Sequence, residues 1–125
     1  MKILIIDDSL MDRKLLINLI KKSGVNNEIL QAVDGEDGLK VLSEHYQDIC
    51  LILLDWQMPK ISGIDFMKAS VNVPSTASIP IVMITASGSD DNKMQALTVN
   101  PHLAGYIVKP YKPETLLETI KGYIK

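Results

Sequence analysis

A chain of 125 residues, 46% of them hydrophobic, has material for one domain with a full core and little beyond it. Thirteen Lys and Arg stand against 15 Asp and Glu, for a formal net charge of −2, which argues against direct nucleic-acid binding by bulk electrostatics. No apolar run is long enough to span or insert into a membrane, the first eight residues do not read as a signal peptide, and the lone Cys50 cannot make an internal disulfide, so a reduced, cytoplasmic setting is expected.

Lys2 to Ile6 is a short apolar run ending in Asp7-Asp8 and reads as a buried strand. Ser9 suits an N-cap, with Asp12 three residues on as a weaker capping-box partner, and a helix follows to about Ser23 on Leu16, Leu19 and Ile20. Glu28 to Ala32 is a more polar strand, expected nearer a sheet edge. After the Asp34-Gly35 turn a helix runs from about Glu36 to His45, weakened by an interior Gly38. Ile49 to Leu54 is six apolar residues closed by Asp55, a strand buried on both faces. A loop from Pro59 leads to a helix over about Gly63 to Ser70 with Ile64 and Met67 inward. Ile79 to Ile84 is a fourth strand ending in Thr85-Ala86-Ser87, and the capping residues Ser87 to Asp91 open a helix through about Val99, stopped by Asn100-Pro101. Ala104 to Val108 is a fifth strand before Lys109-Pro110. Pro113 opens a last helix with Leu116, Leu117, Ile120 and Ile124 inward and Lys112, Glu114, Glu118 and Lys121 toward water. His45 and His102 have no partner at metal spacing, and the six Met read as core filler plus the start residue.

Strand and helix alternate five times, which predicts an α/β fold: a parallel sheet with helices on both faces and right-handed crossovers, in a single domain over residues 1–125. In such a sheet the strand ends share one rim, where ligands bind. Asp7, Asp8, Asp55, Thr85 and Lys109 all fall there. Alone, Asp55 reads equally well as a solvated acid; the other strand ends change that. Carboxylates about 4 Å apart repel by roughly 4 kcal/mol at an effective dielectric of 20, so the cluster calls for a cation. Mg²⁺ favours a few carboxylates, waters and phosphate oxygens, and such a rim suits phosphoryl transfer by positioning and electrostatics.

With these residues in place, the chain resembles the receiver domain of two-component response regulators along essentially its whole length. The matching residues are Asp7-Asp8-Ser9, Asp55 with Met58-Pro59 and Gly63, Thr85-Ala86, and Gly105-Tyr106 leading to Lys109-Pro110. The resemblance implies a flavodoxin-like, doubly wound five-stranded sheet of order 2-1-3-4-5 with five helices. It implies Asp55 as phosphoacceptor, taking phosphate from a sensor histidine kinase or histidine phosphotransfer protein. Mg²⁺ (or Mn²⁺) would be held by Asp8, by Asp7 through water, by Asp55 and by the Gln57 backbone carbonyl. Thr85, the Ala86 amide and Lys109 would receive the phosphoryl group, and the Lys109–Pro110 bond would be cis. Tyr106 would be a switch aromatic, and the surface of the fourth helix, fifth strand and fifth helix would bind a protein target. Such a protein is a phosphorylation switch rather than an enzyme, catalysing only its own gain and loss of phosphate.

Some positions depart from the family pattern. Ile61-Ser62 stands where an Asp or Asn before the Gly is common, Gln57 and Ser87 flank the expected phosphate, and Asn100 to Leu103 is a long approach to the fifth strand. Trp56 fits either a shield over the acyl phosphate or rim packing. Two other functions use part of the pattern. A Mg²⁺-dependent aspartyl-phosphate phosphatase of haloacid dehalogenase type usually has a second Asp two residues after the first, where this chain has Gln57, and a lid that is missing here. A phosphorylation-independent interaction module needs none of the five rim residues. A start at Met1 and an end one residue after Ile124 suit a stand-alone unit without a DNA-binding domain.

Overall fold

The computed structural model describes residues 1–124. Its elements run β1 (Lys2–Ile6), α1 (Leu10–Lys22), β2 (Ile29–Ala32), α2 (Gly35–His45), β3 (Ile49–Leu54), α3 (Gly63–Val71), β4 (Ile81–Thr85), α4 (Asp90–Val99), β5 (Gly105–Val108) and α5 (Pro113–Ile120), with 3-10 turns at Tyr46–Asp48 and Lys121–Tyr123. All strand pairs are parallel and the order is β2-β1-β3-β4-β5. The alternation in the sequence is therefore a flavodoxin-like doubly wound sheet.

Side-chain direction alternates along each strand, so every central strand feeds two cores. Leu4, Ile6, Ile52, Leu54 and Met83 face α2, α3 and α4, where Leu42, Phe66 and Met67 meet them. Ile3, Ile5, Leu51, Leu53, Val82 and Ile84 face α1 and α5 through Leu16, Ile20, Leu116 and Ile120. β3 and β4 are buried at every residue, as continuous apolar runs require, while β2 and β5 are the partly exposed edges. Gly38 sits under this pressure: a Cβ there would lie 2.8 Å from Ile6 Cδ1 and 3.2 Å from Phe66 Cε2. Close approach of α2 to the sheet offsets the helix-propensity cost of that glycine.

Three expectations change. β4 starts at Ile81, because Pro80 has no N–H to donate; its carbonyl still accepts from Ile52 N at 2.9 Å. α5 ends at Ile120 and tightens into a 3-10 turn holding Gly122, so Ile124 reaches the core from beyond the helix, half-buried like Leu117. The methionines divide: Met67 and Met83 are core, but Met11 and Met94 are 80% and 63% exposed on α1 and α4. His45 is half-buried at the end of α2, and His102 is exposed. Phe66, the single Phe and one of the largest fully buried side chains, is a core residue that the helical pattern around Ile64 and Met67 leaves unmarked. Among the described residues no helix is long and apolar enough to cross a membrane.

Candidate functional site

The hydrogen-bond ladder of the sheet continues one residue past the strands. Asp7 N donates to Ala32 O (3.2 Å), Asp55 N to Ile6 O (2.9 Å) and Lys109 N to Thr85 O (2.8 Å). The rim residues are thus carried on rigid backbone, with only their side chains beyond the apolar layer. Asp7, Asp8 and Asp55 each bring one carboxylate oxygen within 4.8 Å of the others. Asp7 and Asp55 are buried, at 2% and 9% exposure, and Asp8 faces solvent. Lys109 Nζ lies 2.9 Å from Asp7 Oδ2, 2.9 Å from Asp12 Oδ2 and 3.9 Å from Asp55 Oδ1. The Lys109–Pro110 bond is cis.

The remaining contacts fix orientation. Asp55 Oδ1 accepts from Trp56 N at 2.8 Å, and Asp7 Oδ1 accepts from Ser9 N at 2.9 Å. Trp56 packs against the core layer of α2 to α4, and its carbonyl accepts from Gly63 N at 2.8 Å. A Cβ on Gly63 would lie 2.1 Å from the Asp55 carbonyl oxygen, so a glycine is what lets α3 begin directly beneath the acid. Thr85 is buried and its Oγ1 accepts from Ser87 N at 3.2 Å, while the exposed Ala86 and Gln57 line the open side. Half-buried Tyr106 donates its hydroxyl to the Ser87 carbonyl at 2.7 Å, and Asn92 of α4 donates to the Ser87 hydroxyl. Ser87 therefore joins the end of β4 to both α4 and β5.

Charge is not balanced here. Burial, then the charge of Asp7, push Asp55 up to about 6; Lys109 and the Trp56 N–H oppose this, and Asp8 adds to it. Burial alone would lower Lys109, but its hydrogen bonds to Asp12 and Asp7 and the charge of Asp55 hold it above the usual lysine value. One ammonium among these carboxylates leaves excess negative charge on oxygen donors, the ligand chemistry of a hard divalent cation. The donor set fits Mg²⁺ or Mn²⁺ at Asp7, Asp8 and Asp55.

Two neighbours of the cluster went unrecognised in the sequence. Asp12 does take part in the cap, with its N–H donating to Ser9 Oγ at 3.2 Å, but its carboxylate turns to Lys109 rather than back to the helix start. The signal available was that α1 begins at the rim, so an acid in its first turn lies next to it. Arg13 is 7% exposed; its Nη1 donates to Asp7 O at 2.6 Å and its Nε to Gln31 Oε1 at 3.1 Å, clamping the turn that carries the acids. No spacing in the sequence marks it.

Comparison with known proteins identifies the family and the fold. The response regulator receiver domain profile matches residues 3–121. The phosphate regulon transcriptional regulatory protein PhoB of Pseudomonas aeruginosa is 35% identical over 98% of this chain, and the chain spans about half of that relative's length (51%). The structure of the chemotaxis response regulator CheY4 of Vibrio cholerae superposes with a TM-score of 0.85 at 30% identity, covering 98% of this chain and 97% of that one. The Mn²⁺-bound form of response regulator Rcp1 superposes with a TM-score of 0.79 at 26% identity, covering 97% of this chain and 89% of that one. Fold, rim and family profile lead to one conclusion: the chain belongs to the response regulator receiver domain family of two-component signalling.

Proposed function

We propose that this domain is a phosphorylation switch in which Asp55 accepts a phosphoryl group from a phosphohistidine on a sensor histidine kinase or histidine phosphotransfer protein. The observation that carries the reading is the cluster of Asp7, Asp8 and Asp55 within 4.8 Å of one another at the end of the central strands, under-neutralised by Lys109. Asp55 supplies the attacking carboxylate oxygen: the new bond is Asp55 oxygen to phosphorus, and the bond to the donor nitrogen breaks with its electron pair. Mg²⁺, or Mn²⁺ as in the Rcp1 relative, would be held by Asp7, Asp8, Asp55 and the Gln57 carbonyl, and supplies neutralisation of phosphoryl charge. Thr85, the Ala86 amide and Lys109 donate to phosphoryl oxygens.

The message leaves through Ser87. A Thr85 hydroxyl drawn to the phosphoryl group disturbs the loop whose Ser87 carbonyl holds Tyr106. The surface next to it bears exposed Met94 and Leu97 of α4 and Val108 of β5, apolar material suited to a protein target rather than to nucleic acid. The domain's chemistry is confined to gaining and losing its own phosphate, and its expected setting is the cytoplasm.

Acetyl phosphate with Mg²⁺ tests this reading. Stoichiometric, Mg²⁺-dependent, base-labile labelling is expected, and Asp55→Asn abolishes it. Equal labelling of the two proteins would overturn the assignment of Asp55, and continuous turnover of small phosphate esters would move the protein to the phosphatase class.

A further inference from the structure

Lys109 has three N–H donors, and two of them are committed to Asp7 and Asp12 at 2.9 Å each. Asp55 lies beyond hydrogen-bond reach at 3.9 Å. Asp7 belongs to the three-carboxylate cluster, but Asp12 does not. The Asp12 side chain is 42% exposed, and the helix cap uses its N–H, so Lys109 is the partner the structure gives its carboxylate. Beside the pair lies an open cavity of about 380 Å³, lined by Leu15, Leu16, Ala86, Pro110 and Tyr111, with room for that carboxylate to turn away.

Building on the phosphoacceptor reading of Asp55, we propose that Asp12 is a positioning residue: a latch on α1 that holds the Lys109 ammonium away from Asp55 and must release it when a phosphoryl group arrives. The phosphoryl oxygens then compete with Asp12 for the same N–H donors. When an acyl phosphate is the donor, the Asp55 oxygen bonds to phosphorus and the acyl carboxylate leaves with the electron pair. Lys109 contributes by meeting the charge spread over the phosphoryl oxygens. A third N–H stays free, but Nζ stands 3.9 Å from Asp55 and must move to reach those oxygens, which stretches the Asp12 contact, so Asp12 sets how readily the domain accepts phosphate.

The test is a double-mutant cycle on the rate of labelling by acetyl phosphate with Mg²⁺. Asp12→Asn is expected to speed labelling by about two- to five-fold, the span available to a partly exposed ion pair. In a Lys109→Ala background the same substitution is expected to change nothing. An unchanged rate when Lys109 is present overturns the latch. So does equal acceleration in both backgrounds, which would mean that Asp12 merely repels the anionic donor. Crystal structures of the wild type and Asp12→Asn provide a readout independent of phosphorylation. Lys109 Nζ is expected within about 3.2 Å of Asp55 in the variant alone, and an unmoved Nζ overturns the proposal. A wild type that takes no label at Asp55 refutes the phosphoacceptor reading, while the crystallographic comparison still decides the latch.

Discussion

Leu54 and Asp55 are joined by one peptide bond and belong to opposite regimes. Leu54 is fully buried among apolar side chains on the face toward α2, α3 and α4, where shape and area decide the fit. Asp55 is nearly as buried, yet its neighbours are two more carboxylates and an ammonium that prefers Asp7 and Asp12. The interior stabilises the fold, and the rim draws on that stability to hold like charges together. The ladder contact from Asp55 N to Ile6 O shows how the two are coupled: the backbone that closes the core also aims the acid.

That contrast can be broken most forcefully from the inside. Phe66→Ala, at a fully buried site between α2 and the sheet, is expected to cost about 3–5 kcal/mol in a urea titration while leaving acetyl phosphate labelling of the folded fraction intact. Loss of labelling in the folded fraction would show that interior packing and rim chemistry are not separable. Gly63→Ala sits on the boundary. Its Cβ meets the backbone carbonyl of Asp55 at 2.1 Å and Trp56 Cα at 2.9 Å, neither of which can rotate aside. A loss of roughly 2–3 kcal/mol together with slower labelling is expected. Full-rate labelling despite the stability loss would mean that the start of α3 does not position the acid.

The interior was the more legible region because its determinants are local. Six apolar residues closed by an acid, or Ile79 to Ile84 closed by Thr85, announce both the strand and its end. Alternation with helical stretches then leaves few topologies, although order 2-1-3-4-5 came from resemblance. At the rim the residues on strand ends were legible for the same reason. Asp12 and Arg13 were not, since their partners, Lys109 and the Asp7 carbonyl with Gln31, are set by how α1 crosses the sheet edge. Ile124 was misread on α5 because helical periodicity cannot see the tightening of the chain at Gly122.

The rim can be relieved as well as broken. Asp55 is held at about 6 against an ordinary value of 3.8, so the folded state binds its proton more tightly than the unfolded chain does. Folding stability from this group therefore falls as pH rises from about 4 to 6 and is level above that. At about 1.4 kcal/mol per pH unit, less what solvent at the open rim screens, Asp55→Asn is expected to be roughly 2 kcal/mol more stable than the wild type at pH 7 without divalent metal. The gain should vanish near pH 4. Equal stability of the two proteins at pH 7 would mean that Lys109 and the Trp56 N–H already neutralise the acid.

A divalent cation is expected to relieve the same strain by a different route, and the two routes should exclude each other. At ten times its dissociation constant, Mg²⁺ stabilises a folded-state site by about 1.4 kcal/mol. Asp8→Asn removes an exposed candidate ligand together with one of the repelling charges, so the metal-free protein should melt no lower than the wild type while most of the Mg²⁺ response is lost. Protonation of Asp55 removes charge from the same cluster. The Mg²⁺ response of the wild type should therefore shrink as pH falls through about 6, where the acid already carries its proton. A Mg²⁺ response that stays constant from pH 7 to 5, or survives in Asp8→Asn, would place the metal away from these three carboxylates and leave their repulsion to Lys109 alone.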